Sequence, residues 1–335
     1  MGGDRPPEQL FAVLANTTHE ISESDTLVLY GTEKVLQAFD ASEEVQKASR
    51  QRLEFVACPE VIEMEDAPLT AVRRKKDSSM VTGICALRDQ NLHAFVSAGN
   101  TGALVASGAI YLPMLPGVER PALLALLPTR KGFVAVVDVG GNISPKPEHL
   151  LQFARMGAAY LRSYGISRTP TVGLLNIGEE AKKGTPEAQE AYELIAAACQ
   201  EQTEKGEALA MEFLGNIEGR EVFQGKVDVL VTDGFTGNVF LKTSEGVSHF
   251  ILTYLQDAFA EESDPRLDNV IRQLRGIVDY DQYPGAVISG VDRILIKCHG
   301  ASSPRAMFKG MLGARDLLRR NWLAAMKQQL TALIS

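Results

Sequence analysis

The chain has 335 residues, of which 45% are hydrophobic and 23% are charged, enough for one large domain or two ordinary ones with a substantial core. This composition excludes a disordered, collagen-like or coiled-coil protein. The 42 acidic residues outnumber the 34 basic ones, giving a formal net charge of −8. We therefore expect no general affinity for nucleic acid or anionic lipid, so that any such contact must come from a local patch.

Eight short runs of β-branched and apolar residues are typical of strands buried on both faces. Helical patterns with three-to-four spacing lie between most of them, as in residues 150–161. This alternation predicts a three-layer α/β/α fold with a mostly parallel sheet, which we assign to a single large domain over residues 1–335. The predicted strands are Thr26–Tyr30, Leu53–Val56, Ala94–Val96, Ala122–Leu127, Phe133–Val137, Thr171–Leu175, Val227–Val231 and Ile294–Ile296.

Residues 90–118 carry no charge, but Asn, Gly and Pro interrupt their apolar residues. No run approaches the roughly 18 residues that a bilayer requires, so we predict no membrane span. The N-terminus has no basic-then-apolar signal pattern, which predicts a cytoplasmic protein. The four cysteines are isolated and lack any zinc-type spacing, so we expect buried thiols and no metal site.

Residues 247–283 form two amphipathic helical patterns separated by the acidic turn Glu261–Pro265, which predicts a helical hairpin. One interpretation is a pair of helices that face the core of the same domain. The other is a protruding pair that contacts a second subunit or a membrane surface.

Five predicted strands are followed by loops that combine glycine with Asn, Asp, Ser or Thr. In parallel sheets the carboxyl ends of the strands form the ligand crevice. Five such loops at corresponding ends predict one site lined by N–H groups, hydroxyls and amides that suits an oxyanion such as phosphate, with Lys182 and Lys183 as its cations. The loops are 97–102, 138–142, 176–184, 232–238 and 297–303.

Motifs of other enzyme classes are absent from the sequence. There is no GxGxxG dinucleotide fingerprint, no GxSxG elbow and no HExxH. Residues 178–185 resemble a P-loop, but Lys183 stands in place of the second glycine and Gly184 in place of the lysine. We therefore discount an NTPase, a serine hydrolase and a zincin.

Several blocks, in order along almost the whole chain, resemble the bacterial phosphate acyltransferases of phospholipid synthesis, the PlsX family. The resemblance implies a fold like isocitrate dehydrogenase and phosphotransacetylase. It also implies transfer of an acyl group from acyl carrier protein to inorganic phosphate, without a cofactor. The blocks are Met1–Asp4, Ala71–Met80, Ser97–Leu104, Lys146–Leu150, Asp233–Asn238, Leu241–Thr243, Glu245–Gly246 and His299–Gly300.

The resemblance further implies a homodimer that associates peripherally with the membrane and supplies acyl phosphate to a glycerol-3-phosphate acyltransferase. The sequence departs from the family pattern at its N-terminus, because family members begin with a strand ahead of the Met1–Asp4 block. Either the sheet lacks its first strand or the true start codon lies upstream, and we expect the second. A missing central strand leaves two unpaired neighbours and a hole in the core.

A thioester is already activated, so the reaction needs placement and charge rather than a covalent intermediate. We assign phosphate to the Asn100 loop, Lys183 and Asn238, with Lys182 in support. Asp233 orients a lysine or binds through water. His299 donates to the oxyanion or protonates the leaving thiolate, and His149 is a competing candidate for that role. The other predicted substrate-binding residues are Thr101, Gly102, Asn142, Gly234, Lys242 and, within the basic run 73–76, Arg73 and Arg74.

That basic run is either a solvated helix face or a dock for phosphate or an acidic carrier protein. Three other functions stay open. A phosphotransacetylase acting on acyl-CoA has the same phosphate site, and a non-catalytic scaffold for lipid enzymes needs only the hairpin. A nicotinamide-dependent dehydrogenase predicts a bound metal, for which the sequence shows no acidic cluster.

Overall fold

The computed structural model describes residues 2–17, 20, 25–47, 52–204, 210–259, 265–278 and 285–334. The backbone divides into two compact units, the first formed by residues 1–121 and 283–324 and the second by residues 122–282 and 325–335. The assignment of residues 1–335 to a single domain stays a prediction.

The first unit contains a parallel pair, β1 and β2, and three further strands in the order β3-β10-β9. β3 and β10 are parallel, whereas β9 runs antiparallel to β10. The elements of this unit are α1 (Gln9–Thr17), β1 (Leu27–Gly31), α2 (Glu33–Ala41), α3 (Glu43–Lys47), β2 (Leu53–Ala57), α4 (Pro68–Arg74), α5 (Ser79–Arg88), β3 (Ala94–Ser97), α6 (Thr101–Tyr111), β9 (Ala286–Ser289), β10 (Ile294–Lys297) and α12 (Pro304–Arg319).

The second unit contains strands in the order β4-β5-β8-β6-β7. β4 and β5 form an antiparallel hairpin, and the pairs β5·β8, β8·β6 and β6·β7 are parallel. Its elements are β4 (Ala122–Thr129), β5 (Gly132–Val137), α7 (Pro147–Ser163), β6 (Thr171–Leu175), α8 (Pro186–Glu204), β7 (Glu212–Ile217), α9 (Gly219–Val222), β8 (Val229–Val231), α10 (Gly234–Ala258), α11 (Pro265–Val278) and most of α13 (Trp322–Ile334).

Helix α7 covers one face of this sheet through the predicted apolar stripe. Phe153 is completely buried, and Gly157 lets the helix approach closely, because a Cβ at that position would lie 2.4 Å from Cγ1 of Val229. β8 is buried at every position, as expected for a central parallel strand with helices on both faces.

All eight predicted strands are present, and the mostly parallel sheet flanked by helices is confirmed. The sequence interpretation missed β7 and β9. In β7, Gly215 and Asn216 interrupt the apolar run, and a bulge accompanies the pairing with β6. β9 has only four residues, too few for a clear alternation of polar and apolar residues.

Helix α10 begins at Gly234 rather than near the predicted boundary at 247, and it contacts α11. The turn predicted at 261–265 lies almost entirely outside the described residues. Side chains of the predicted stripe are exposed on α10, among them Phe250 at 67% and Tyr254 at 64%. Within the described part of the chain, no helix is both long and apolar enough to cross a bilayer.

The first unit contains a cavity of about 850 Å³ between β1 and β3. Residues 25–30 and 91–98 line its two sides, and apolar side chains of α1 and α12 complete the wall. The rings of Tyr30 and Phe95 lie 6.3 Å apart. Among the described residues, β1 pairs only with β2, and β3 pairs only with β10. Among the strands that the structure describes, none pairs with both β1 and β3.

Candidate active site

The polar loops predicted from the sequence follow the carboxyl ends of parallel strands. In the second unit, β5, β8 and β6 are neighbours, so loops 138–142, 232–238 and 176–184 lie along one sheet edge. In the first unit, β3 and β10 are neighbours, which brings loops 97–102 and 297–303 together. The structure therefore gives each unit its own cluster of predicted site residues.

Loop 138–142 is organised around a buried carboxylate. Oδ1 of Asp138 accepts hydrogen bonds from the backbone N–H of Leu123 (2.9 Å), Gly140 (3.2 Å) and Gly141 (2.9 Å). Oδ2 accepts from the backbone N–H (2.6 Å) and Nδ2 (2.8 Å) of Asn142. Asn142, predicted to bind substrate, is itself buried and directs these donors at Asp138. Burial raises the pKa of Asp138, and the surrounding donors act in the opposite direction.

Helix α10 begins at a capped, glycine-rich turn beside this loop. Asp233 is the N-cap, and its carboxylate accepts from the N–H (2.8 Å) and the hydroxyl (2.7 Å) of Thr236. Asp233 therefore acts as the N-terminal cap of α10. The predicted residue Asn238 is exposed on the same turn, whereas Lys242 pairs with Glu245 at 2.6 Å.

Loop 176–184 presents two lysines. Nδ2 of Asn176 donates to the carbonyl of Lys183 at 2.9 Å and so closes the loop. Gly184 has a φ of +90°, which favours glycine. Lys182 and Lys183 are exposed, and among the described residues neither ammonium group forms an ion pair or hydrogen bond. In the same loop, Glu179 is paired with Lys226 at 3.1 Å. Glu180 lies close to the stem of Lys183, since a Cβ at Gly178 would approach Oε2 of Glu180 to 2.8 Å and Cγ of Lys183 to 3.3 Å.

The Asn100 loop of the first unit is held together by its own side chain. Nδ2 of Asn100 donates to the carbonyls of Glu63, Met64 and Asp66, at 3.3, 2.9 and 3.1 Å. Its Oδ1 accepts from the N–H of Ala103 at 3.0 Å and caps α6. The side chain is buried, so Asn100 positions the loop rather than offering its amide to a ligand.

The two residues after Asn100 are half-buried at the start of α6. Gly102 packs against Pro68, since a Cβ at 102 would lie 2.7 Å from Cγ of that proline. Thr101 begins the helix, where N–H groups and a hydroxyl suit an anion.

His299 is exposed in the loop after β10. Its Nδ1 accepts from the N–H of Ala301 at 3.1 Å, so the neutral ring carries its proton on Nε2. Lys297 ends β10 almost fully buried, and its ammonium donates to the carbonyls of Ala98 and Cys298. His149, the competing histidine, is buried and accepts from the N–H of Lys146 at 3.1 Å, which indicates a helix-capping role.

The basic run lies at the end of α4. Arg73 and Arg74 are exposed in its last turn, where cations complement the helix dipole. Lys75 is structural, because its ammonium binds Asp66 at 2.5 Å and the carbonyl of Val61 at 2.9 Å. This bond also lowers the pKa of Asp66.

Sequence reasoning placed Asp138 in a polar loop but gave it no role, and it did not consider Lys297 or Asn176 as site-building residues. The sequence signal that could have identified these residues is a polar residue at the end of an apolar strand. Among the described residues, no group of His, Cys, Asp and Glu is arranged to hold a metal ion.

Comparison with solved structures defines the class of fold. A phosphotransacetylase from Staphylococcus aureus, EutD, superposes with a TM-score of 0.56 at 15% identity, covering 97% of this chain and 92% of that one. A phosphotransacetylase from Streptococcus pyogenes gives 0.54 at 15% identity, covering 94% and 100%. At this identity the likeness establishes an α/β fold of the phosphotransacetylase type and nothing more.

The chain belongs to the fatty acid synthesis protein family, whose model matches residues 1–325. Relatives of this chain are named phosphate acyltransferase. The one from Chlamydia pneumoniae is 40% identical over 327 residues, covering 95% of this chain and 93% of the relative. The one from Caldicellulosiruptor bescii is 36% identical over 338 residues, covering 99% and 97%.

Proposed function

We propose that this protein transfers an acyl group from acyl carrier protein to inorganic phosphate and so forms the acyl phosphate used in phospholipid synthesis. Acyl transfer to phosphate is the activity for which relatives 36–42% identical are named. The observation that carries the proposal is the pair of exposed lysines, Lys182 and Lys183, at a sheet edge lined by polar loops. Among the described residues, neither lysine forms an ion pair. That arrangement suits a small anion.

The reaction requires no enzyme nucleophile. A phosphate oxygen attacks the thioester carbon, the tetrahedral oxyanion forms, the C–S bond breaks, and the thiolate takes up a proton. Holding phosphate against the thioester converts a bimolecular encounter into an oriented one, worth up to about 7–11 kcal/mol in favourable cases. Lys183, supported by Lys182, supplies positive charge to the phosphate, and Asn238 supplies an amide donor from the first turn of α10.

The other predicted roles remain predictions. His299 suits a proton donor, because its Nε2 carries the proton in the neutral ring. Thr101 and Gly102 present backbone N–H groups at the start of α6. The side chains of Asn100, Asn142 and Asp233 are used inside the protein, which supports positioning roles for them.

The donor is tested by trapping the product. Acyl phosphate reacts with hydroxylamine to give a hydroxamate. Because the thioester donors also react with hydroxylamine, the quantity measured is the phosphate-dependent hydroxamate formed by the protein from acylated acyl carrier protein or from acyl-CoA at equal concentration. We expect product from the carrier protein and little from acyl-CoA. The reverse preference would identify a phosphotransacetylase, and no hydroxamate from either donor would contradict the proposed activity.

We assign the carrier dock to Arg73 and Arg74, whose exposed guanidinium groups are suited to an acidic protein. The double variant Arg73→Glu/Arg74→Glu should raise the carrier KM by about tenfold at low ionic strength, because steering is lost. The difference in carrier KM between the double variant and the original chain should shrink at about 1 M salt, where the Debye length is ~3 Å. Steady-state kinetics across a salt series measures both effects.

The control for this variant is Lys34→Glu/Lys131→Glu, which changes the net charge equally at exposed positions elsewhere. We expect it to leave the carrier KM close to that of the original chain. Equal effects of the two double variants, or none at low salt, would favour a solvated helix face.

We also propose that the hairpin of α10 and α11 provides the peripheral membrane contact. Its exposed apolar side chains include Val247 at 52%, Phe250 at 67%, Tyr254 at 64% and Val270 at 49%. Exposed arginines also occur on α11, among them Arg275. An exposed apolar stripe on helices that also carry arginines is typical of helices that lie on anionic membranes. The predicted homodimer is then formed by another surface.

A further inference from the structure

The carboxylate of Asp138 is fully buried, yet the proposed reaction gives it no chemical step. Three of its five donors are the consecutive backbone N–H groups of residues 140–142. Successive N–H groups that converge in this way usually form a nest for a bound anion. Here the anion is the protein's own side chain, so these groups are not available to phosphate.

The loop built around Asp138 also sets the position of α10. The carbonyl of Asn142 accepts from the N–H of Gly234 at 2.7 Å. The carbonyl of Asp138 lies so close to Gly237 that a Cβ there would approach it to 1.9 Å. Gly140, with a φ of +137°, lies beside the side chain of Asn238. The first turn of α10 therefore contacts the loop at three successive places.

We propose that Asp138 is a positioning residue: its carboxylate fixes loop 138–142, and the loop fixes the first turn of α10 and with it the amide of Asn238. The inference rests on the proposed function, since the consequence of this alignment is phosphate binding. Without the carboxylate, the donors inside the loop lose their acceptor, and buried donors without partners force a local rearrangement.

The first test is Asp138→Asn, which keeps the size of the side chain but places an NH₂ group against N–H donors. We expect the phosphate KM to rise by about 10²-fold, since a misplacement of about 1 Å has effects of this size. The KM for the acyl carrier substrate should change little. A role in global stability alone would instead reduce the amount of active protein without moving the phosphate KM.

The second variant disturbs the contact between α10 and loop 138–142 by changing the helix instead of the loop. Gly237→Ala leaves the carboxylate and its donors in place, but its Cβ must push α10 away from the carbonyl of Asp138. The matched control is Gly246→Ala on the same helix, where the Cβ would meet nothing within 4 Å. We expect Gly237→Ala to behave like Asp138→Asn and Gly246→Ala to behave like the original chain.

A measurement without turnover separates this inference from the proposed function. Inorganic phosphate should raise the Tm of the original chain and of Gly246→Ala, because ligand that binds only the folded state stabilises it. The shift should be lost in Gly237→Ala and in Asp138→Asn, if the latter folds. Normal phosphate shifts and KM values in Gly237→Ala overturn the positioning role, whereas a lack of hydroxamate from the original chain contradicts only the activity.

Discussion

Replacing Lys183 by alanine is expected to lower kcat/KM for phosphate by about 10²–10³-fold, the usual cost of removing one donor from a preorganised anion site. The side chain is exposed and its ammonium has no partner among the described residues, so the fold loses nothing with it. The loop remains closed, because Asn176 binds the backbone carbonyl of residue 183 and not its side chain.

The matched control for this variant is Lys131→Ala. Lys131 is an exposed lysine in the turn before β5, at the opposite end of that strand from loop 138–142. Lys131→Ala changes the net charge of the protein by the same amount as Lys183→Ala, and we expect it to leave kcat/KM for phosphate unchanged. Lys183→Arg should recover part of the activity, since it restores the charge with a different shape. Phosphate kinetics of Lys183→Ala equal to those of Lys131→Ala would remove Lys183 from the site.

The double variant Phe250→Glu/Tyr254→Glu is expected to abolish flotation with vesicles that contain anionic lipid. The two exposed rings are 6.2 Å apart on α10, and burying each large apolar side chain contributes about 1.5–3 kcal/mol. Losing both should weaken partitioning by at least about 10²-fold, because 1.4 kcal/mol corresponds to a factor of ten. Turnover with acyl carrier protein in detergent-free buffer should be retained.

Thr253→Glu serves as the control, since Thr253 is exposed on the same helix outside the apolar stripe. It should float nearly as well as the original chain. Size-exclusion chromatography distinguishes the other interpretation of the hairpin. If the double variant floats normally but its apparent mass falls by half, the stripe covers a second subunit and the membrane assignment is wrong.

The sequence was informative about strands and about which loops carry polar residues, because buried parallel strands leave continuous apolar runs that end at those loops. It was less informative about what each polar side chain does. Asn100 and Asn238 both stand next to glycines in the sequence. In the structure, however, the amide of Asn100 donates to three backbone carbonyls, whereas Asn238 is exposed. Such differences arise from contacts between segments distant in the chain, as between Asn100 and Glu63.

The same limitation explains why the sequence did not reveal the role of Asp138 or the start of α10. Asp138 follows β5, but its donors come from both its own loop and Leu123 on β4, a hairpin partner that the local pattern does not identify. The start of α10 at Gly234 was missed because glycines and threonine are poor helix formers. Its stability comes from the Asp233 cap and from packing against loop 138–142.

Among the described residues, β1 and β3 each have one edge without a partner strand, which bears on the behaviour of the protein at high concentration. Each of these strands pairs with one other strand in the described part of the chain, and a cavity of about 850 Å³ with polar and apolar lining lies between β1 and β3. Such a groove is a template on which an extended peptide adds as a further strand. Concentrated solutions should therefore self-associate through β-addition at this groove, and a short synthetic peptide of alternating valine and threonine should suppress the resulting turbidity.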